Sequence, residues 1–216
     1  LVDNIVKATG KNYNKLGSRP IRALYTGGTF IEVTDERDTP TEIDLKVQKV
    51  GTGGGQSTNI PLEGAEFRLY QYVKDSATQR LVKKYYQVTE SQTTPVQRTV
   101  DWVLEKNATV FETGSDGIID IYKLDFDTWY YLEEITAPDP ISDPNGGNSK
   151  ASFKLLEKPV KFRLTEPADG STDKYKIEID AKETPANVAE LGEGEIGIMV
   201  YNYVSFQLPH TGGIGT

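Results

Sequence analysis

The stretch "DLKVQKV", Asp44 to Val50, alternates apolar and polar residues along its length. Such alternation predicts a β-strand with one face in the core, because successive side chains of a strand point to opposite sides. Leu45, Val47 and Lys49 then share the buried face. A lysine is therefore aimed where an apolar side chain is expected, and burial of an unpaired lysine is costly or shifts its pKa.

Other short segments bounded by turn residues show a similar pattern, and the chain is rich in residues typical of strands and turns, with 12 Tyr, 7 Phe, 20 Gly and 11 Pro. The segments are "GAEFRLYQYV" (64–73), "IIDIYKL" (118–124), "WYYLEEI" (129–135), "KPVKFRL" (158–164), "KYKIEI" (174–179) and "IGIMVYNYVSF" (196–206). No convincing long helix is found. The pattern predicts an all-β, antiparallel, immunoglobulin-like sandwich.

Two further polar residues fall on apolar strand faces. Glu134 follows the buried parity of "WYYLEEI", and Asn202 follows that of the last strand. One interpretation is that each residue lies near a strand end and extends its polar atoms to water. We favour the other interpretation, in which Lys49, Glu134 and Asn202 meet in the core, because three polar residues at comparable positions can satisfy one another.

The chain divides into three parts. Residues 1–40 are too few to bury a core, and they are expected to be the C-terminal strands of a truncated upstream domain plus a linker. Within them, "GGTFIEVTDE" predicts one strand. Residues 41–206 are predicted to form the sandwich, and residues 207–216 its tail. Residues 75–110 are expected to be an insertion, in which "RLVKKYYQV" and "RTVDWVL" form additional strands or a short helix.

Composition excludes several classes of function. The net charge is −8 and basic residues are not clustered, which argues against nucleic-acid binding. No cysteine is present, so disulfides and thiolate chemistry are excluded. The single histidine, His210, lies in the tail, which disfavours a Ser-His-Asp triad. No segment approaches the length of a membrane span or resembles a signal peptide, and the chain is expected to be a piece of a longer protein.

No cofactor or metal site is predicted. The acidic segments 139–148 and 169–173 lack the ligand spacing of an EF-hand loop, although calcium binding stays open as an alternative. The glycine-rich segment 51–57 lacks the Lys-Ser/Thr ending of a phosphate-binding loop. We expect all of these segments to be ordinary loops.

Three motifs resemble one family, the collagen-adhesin B-type (CnaB) domains of Gram-positive pilins and surface proteins. "YYLEEITAP" (130–138) resembles the E-box of the family. "LKVQKVG…IPLEGAEFRLY" resembles its opening strands, and "MVYNYV" resembles its closing strand. The resemblance covers roughly residues 42–206. The E-box departs slightly from the family pattern, with Ile135 where Thr is common and Pro140 in place of a Gly-Tyr continuation.

The resemblance implies an intramolecular isopeptide bond. The neutral amine of Lys49 would attack the side-chain carbonyl of Asn202, Glu134 in its protonated form would hydrogen-bond the amide oxygen and relay protons, and ammonia would leave. Lys46 and Glu133 are the rival residues, and strand parity puts both on the opposite faces. Such a reaction is a single self-modification, so the chain is not classed as an enzyme.

A second bond in the upstream fragment is an open alternative. Asp35 shares a strand face with two apolar residues and could be the acceptor for a lysine outside this sequence. An exposed acid at a strand end is the commoner explanation of such a residue.

The tail carries the pattern of a sortase sorting motif. In "LPHTGG", Leu208, Pro209, Thr211 and Gly212 match Leu-Pro-x-Thr-Gly, and His210 occupies the variable position. Pro209 holds Leu208 extended, in a form that a groove can bind. The motif implies cleavage by a sortase between Thr211 and Gly212, and transfer of Thr211 to an amine on a neighbouring pilin or on peptidoglycan.

The combined motifs imply a structural stalk and anchoring region of a pilus subunit or cell-wall adhesin, located outside the cell. A shaft pilin needs an acceptor lysine, usually in a Tyr-Pro-Lys motif, which this sequence lacks, so an ancillary or tip subunit is favoured. A host receptor could then be bound through upstream domains. The alternatives are a module that itself binds host matrix, and a wall-anchored enzyme whose catalytic domain lies upstream.

Overall fold

The fold was examined in a computed structural model, which describes residues 20–24, 30–34, 43–52, 59–142, 150–166, 175–191 and 197–203. The chain divides into two compact units, one of Leu1–Thr41 with Glu166–Lys176 and one of Glu42–Thr165 with Ile177–Thr216. In the described residues the regular structure is β-strand, apart from the short 3-10 helix Glu105–Asn107. The predicted all-β class is confirmed.

The strands are numbered in chain order. They are β1 (Pro20–Leu24), β2 (Phe30–Thr34), β3 (Ile43–Thr52), β4 (Ile60–Pro61), β5 (Glu66–Lys74), β6 (Leu81–Glu90), β7 (Arg98–Val103), β8 (Phe111–Glu112), β9 (Ile118–Leu124), β10 (Tyr130–Thr136), β11 (Ile141–Ser142), β12 (Lys150–Ala151), β13 (Val160–Thr165), β14 (Lys176–Ile179), β15 (Val188–Glu190) and β16 (Gly197–Tyr203).

The first unit contains an antiparallel pair. Strands β1 and β2 pair in register from Pro20 opposite Thr34 to Leu24 opposite Phe30. The predicted strand in 27–36 corresponds to β2, whereas β1 was not predicted. Asp35, the possible acceptor of a second bond, lies outside the described residues.

The larger sheet of the second unit has the order β14-β13-β10-β5-β6-β7, and β8 pairs with β5 at one end. The pairs β10–β13, β5–β10, β5–β6 and β6–β7 are antiparallel. The irregular region 75–110 therefore contributes the two additional strands β6 and β7, followed by the 3-10 helix. The alternative of extra strands in this region is confirmed.

The smaller sheet has the order β15-β16-β3-β4, and β9 also pairs with β3. Here the first and last strands of the sandwich, β3 and β16, are parallel. This pair departs from the expected antiparallel arrangement. The two strands are far apart in sequence and no tight hairpin joins them, so their direction is not constrained in the way that a two-residue turn constrains it.

The core lies between these two sheets. Ile43, Leu45 and Val47 of β3 are buried on one face, as the alternation predicted. The fully buried side chains of the larger sheet include the big aromatic residues Tyr86 and Tyr130. The hydroxyl of Tyr86 on β6 donates to the carbonyl oxygen of Tyr122 on β9 at 2.8 Å, and so links the sheets. The packing is that of a β-sandwich.

Candidate functional site

The buried polar residues mark one place in the core. Among the described residues, five polar or charged residues are buried, and they are Lys49, Thr113, Glu134, Thr184 and Asn202. The two threonine hydroxyls are hydrogen-bonded to main-chain carbonyls. The remaining three are the lysine, glutamate and asparagine that strand parity placed in the core.

Lys49 is held by the main chain on both sides of β3. Its amide donates to the carbonyl of Gly117 at 2.7 Å, and its carbonyl accepts from the amide of Leu62 at 3.0 Å. Its side chain is fully buried, and Nζ lies 5.6 Å from the centre of the Phe67 ring. The fixed backbone and the close packing therefore hold the amine inside the sandwich.

Glu134 approaches Lys49 from the opposite sheet. It lies on β10, in register with Phe67 of β5. Its Oε1 is 2.7 Å from the Nζ of Lys49, and both side chains are 0% exposed. Its Oε2 accepts a hydrogen bond from the main-chain amide of Leu156 at 2.8 Å. The carboxylate thus links the two sheets through Oε1, and it contacts an irregular segment through Oε2.

Burial sets the electrostatics of this pair. Loss of solvent lowers the pKa of Lys49 below its usual value, although the charge and hydrogen bond of Glu134 act in the opposite direction. Within the described residues, neither Nζ nor Oε1 makes another hydrogen bond. An amine in this position loses its proton more easily than an exposed lysine, and an unprotonated amine is a nucleophile.

Asn202 lies on the strand next to Lys49. In the parallel pair, Lys49 is opposite Val200, and Asn202 is opposite Gly51. Residues two apart on a strand share a face, so Asn202 and Lys49 are diagonal neighbours on the inner face, a spacing that long side chains can cross. The Nδ2 of Asn202 donates to the carbonyl oxygen of Lys154 at 3.2 Å.

The two rival residues lie on the opposite strand faces. Lys46 and Glu133 occupy the alternate positions of β3 and β10, and both are half-buried. Glu133 is 3.9 Å from the Nζ of Lys83, at the surface. Strand parity therefore predicted correctly which lysine and which glutamate enter the core.

One predicted contact differs from the structure. Glu134 was expected to hydrogen-bond the amide oxygen of Asn202. Instead, its two oxygens contact the Nζ of Lys49 and the amide of Leu156. The reason is that the segment after β12 passes over the site and supplies a main-chain donor that strand parity could not reveal.

We call this segment, residues 152–158, the strap. It has no regular secondary structure and connects β12 to β13. It contacts Glu134 through the amide of Leu156, and Asn202 through the carbonyl of Lys154. All of the strap except Phe153 lines an open groove of about 770 Å³, together with Ala181, residues 184–187, Asn202 and Tyr203. Sequence reasoning missed the strap, since main-chain contacts leave no pattern in the side chains.

Several other predicted features lie wholly or partly outside the described residues. The sorting motif, Leu208 to Gly212, is among them, as are the segment 169–173 and most of the segments 51–57 and 139–148. In the described part of the chain, no group of three or more His, Cys, Asp or Glu residues could hold a metal ion. No helix there has the length and hydrophobicity to cross a bilayer.

Comparison with solved structures finds partial matches to pilins. The pilus 2b backbone protein of group B streptococcus is 24% identical, with 84% of this chain and 46% of that chain covered and a TM-score of 0.41. The shaft pilin SpaA of Lactobacillus rhamnosus GG is 15% identical, with coverages of 88% and 70% and a TM-score of 0.43. BcpA, the major pilin subunit of Bacillus cereus, is 14% identical, with coverages of 86% and 37% and a TM-score of 0.38.

These coverages mean that the chain spans less than half the length of the streptococcal and Bacillus proteins. No curated protein sequence matches it significantly. A family model, described as "SpaA: Prealbumin-like fold domain", matches residues 43–176, which is more than half of the chain. The matched residues begin at β3 and include both Lys49 and Glu134. The chain therefore belongs to the SpaA family of prealbumin-like fold domains.

Proposed function

We propose that this chain is the structural stalk and anchoring part of a sortase-assembled pilus subunit or cell-wall adhesin, stabilised by an isopeptide bond between Lys49 and Asn202. The observation that carries the proposal is the fully buried contact of 2.7 Å between Lys49 and Glu134, with Asn202 on the adjacent strand. Family membership supports the same conclusion.

The reaction balances within the three side chains. Lys49 transfers a proton to Glu134 and attacks the Cγ of Asn202 as a neutral amine. The Nζ–Cγ bond forms, and Glu134 passes the proton that it has taken to the Nδ2 of Asn202 before it accepts and keeps the second Nζ proton. The Cγ–Nδ2 bond then breaks and ammonia leaves. The paired strands hold the amine beside a poor electrophile, which raises its effective concentration.

The sorting motif supplies the second part of the proposal. A sortase would cleave after Thr211 and join its carboxyl group to an amine on a neighbouring pilin or on peptidoglycan, which places the protein outside the cell. The proposal rests here on the sequence "LPHTG" directly after the closing strand. Within a pilus, the ancillary or tip position stays a prediction from the sequence.

Intact-mass measurement of the purified chain tests the bond. We expect a deficit of one ammonia, and a tryptic map in which the peptides of Lys49 and Asn202 are joined. Lys49→Ala should restore the full mass, whereas the matched control Lys46→Ala should keep the deficit. A full unmodified mass of the parent chain contradicts the proposed bond. If the deficit is lost in Lys46→Ala and kept in Lys49→Ala, the reacting lysine is Lys46 and the assignment to Lys49 is wrong.

Incubation with a purified sortase tests the anchoring. We expect cleavage between Thr211 and Gly212 and transfer to an added amine, detected by mass. Thr211→Ala should prevent cleavage, while His210→Ala, at the variable position, should leave it. Equal cleavage of the parent chain and Thr211→Ala contradicts this part of the proposal, whatever the result for the isopeptide bond.

A further inference from the structure

We propose that the strap is a positioning element for the cross-linking reaction: the amide of Leu156 fixes the base, and the carbonyl of Lys154 fixes the leaving group. This inference rests on the proposed isopeptide bond and extends it to residues outside the reacting side chains. Both contacts are made by main-chain groups within three consecutive residues. One irregular segment therefore holds two side chains that come from different sheets.

The contact with Glu134 determines which carboxylate oxygen accepts the proton from Lys49. The amide of Leu156 can donate a hydrogen bond but cannot accept one, so it favours an unprotonated Oε2. The proton taken from Lys49 then resides on Oε1, which already lies 2.7 Å from Nζ.

The contact with Asn202 decides how the amide group is turned. Its nitrogen donates to the Lys154 carbonyl at 3.2 Å, so the leaving nitrogen points to the strap. As Glu134 protonates this nitrogen, its N–H groups become stronger donors, and the hydrogen bond strengthens as the reaction proceeds. An interaction that strengthens towards the transition state accelerates the reaction.

The strap also gives the leaving nitrogen access to solvent. Lys49 is fully buried and Glu134 nearly so, whereas Asn202 and the strap both line the open groove. Ammonia released at Nδ2 is therefore formed beside a space of about 770 Å³. It has no need to cross the packed core between the sheets.

The first test removes the amide donor. In Leu156→Pro the nitrogen has no hydrogen to donate to Glu134. The matched control is Ser152→Pro. Ser152 is exposed and lies on the same strap, and the residue before it belongs to β12. The extended backbone of a strand residue suits the position before proline. Cross-linking is followed by intact mass after synthesis in a cell-free system. We expect Leu156→Pro to react at about one tenth of the parent rate or more slowly still, and Ser152→Pro to react at the parent rate.

A double-variant comparison distinguishes positioning from general damage. The Leu156 amide contacts Glu134, so its loss should slow cross-linking little further when Glu134 is already replaced by alanine. If Leu156→Pro slows the Glu134→Ala chain as much as it slows the parent chain, the defect is only structural and the inference is overturned.

A second measurement applies if Leu156→Pro does not fold. Replacement of Leu156 by its α-hydroxy acid changes one amide to an ester, which removes the same hydrogen with little change in shape. The corresponding replacement of Leu155 makes the Lys154 carbonyl an ester and a weaker acceptor for Asn202. The replacement of Phe153 is the control. We expect both test esters to slow cross-linking several-fold relative to that control.

The outcomes separate the two proposals. If the parent chain loses no ammonia, the proposed isopeptide bond is wrong, and the role of the strap is overturned with it. If the parent chain cross-links but the variants at 155 and 156 match their controls, the bond stands and the strap does not position it. If only one of the two test esters slows cross-linking, the inference holds for the contact that this ester weakens and is overturned for the other contact.

Discussion

Lys49 and Lys161 both contact carboxylates, yet their surroundings shift their pKa values in opposite directions. Hydrogen bonds to Asp180 and Glu183, with Nζ–O distances of 3.0 and 3.1 Å, raise the pKa of Lys161. Burial lowers the pKa of Lys49, against the opposing effect of Glu134. Lys161 is thus favoured as an ammonium ion that forms ion pairs, whereas Lys49 loses its proton more easily than an exposed lysine does. A carboxylate neighbour alone therefore does not determine the direction of the pKa shift, because burial of the amine acts against it.

Replacing the glutamate tests its role in proton transfer. Glu134→Ala removes the group that accepts the proton of Lys49, and cross-linking is expected to slow at least about 100-fold. Circular dichroism should still show a folded sandwich, since the buried lysine can remain neutral. The matched control Glu133→Ala changes the neighbouring residue on the outer face and should cross-link as the parent chain does. Full cross-linking of Glu134→Ala, read from intact mass, would exclude the proposed role.

At the scale of elements, the turn before β9 holds Lys49 in place. Gly117 has a φ of +71°, and its carbonyl accepts the Lys49 amide. A Cβ at Gly117 would lie 2.4 Å from the Lys49 carbonyl oxygen. Only glycine tolerates both this backbone conformation and this close approach.

We therefore expect Gly117→Ala to destabilise the sandwich. The left-handed backbone alone costs about 1–2 kcal/mol for a residue with a Cβ, and displacement of β3 adds to that cost. Gly114→Ala, in the same turn, is the control, because its Cβ would make an ordinary contact of 3.5 Å with Asp116. Urea unfolding of both variants measures the difference, and equal stabilities would contradict this explanation of Gly117.

The Tyr86 hydroxyl, which links the two sheets, should make the free energy of unfolding depend on pH. Burial raises the pKa of Tyr86 to about 12, while an unfolded tyrosine titrates near pH 10. The folded state then holds a proton that the unfolded state has lost, so the stabilisation is complete below about pH 10 and is lost as the pH rises to about 12. The difference in unfolding free energy between the parent chain and Tyr86→Phe should fall over this window. A constant difference would contradict the assignment.

The same elements show what the sequence could predict. The faces of Lys49, Glu134 and Asn202 followed from strand alternation, which depends only on local backbone geometry. The parallel pairing of β3 with β16 could not be predicted, because it depends on how the intervening strands are arranged. The strap contacts were also missed, since the amide of Leu156 and the carbonyl of Lys154 are groups that every residue there would offer.

For the whole molecule, the proposed bond should raise stability by limiting the unfolded chain. It would close a loop of roughly 150 residues, for which the disulfide relation gives about 5 kcal/mol. We expect Asn202→Ala, which cannot cross-link, to unfold at lower guanidinium concentration and to be digested faster by trypsin. Tyr203→Ala changes the exposed neighbour and is the control. If Asn202→Ala and this control unfold at the same midpoint, the bond does not stabilise the fold.

The parallel pairing of β3 and β16 also determines how the sandwich responds to tension. The chain enters through β3 and leaves through β16, so opposite forces at these two ends pull the strands past each other along seven registered pairs. The hydrogen bonds are then loaded in shear and must break together rather than one after another. A covalent bond between the two strands would carry the force directly and leave the residues between them unstretched. Roughly 150 residues, about 500 Å of extended chain, would then never unravel.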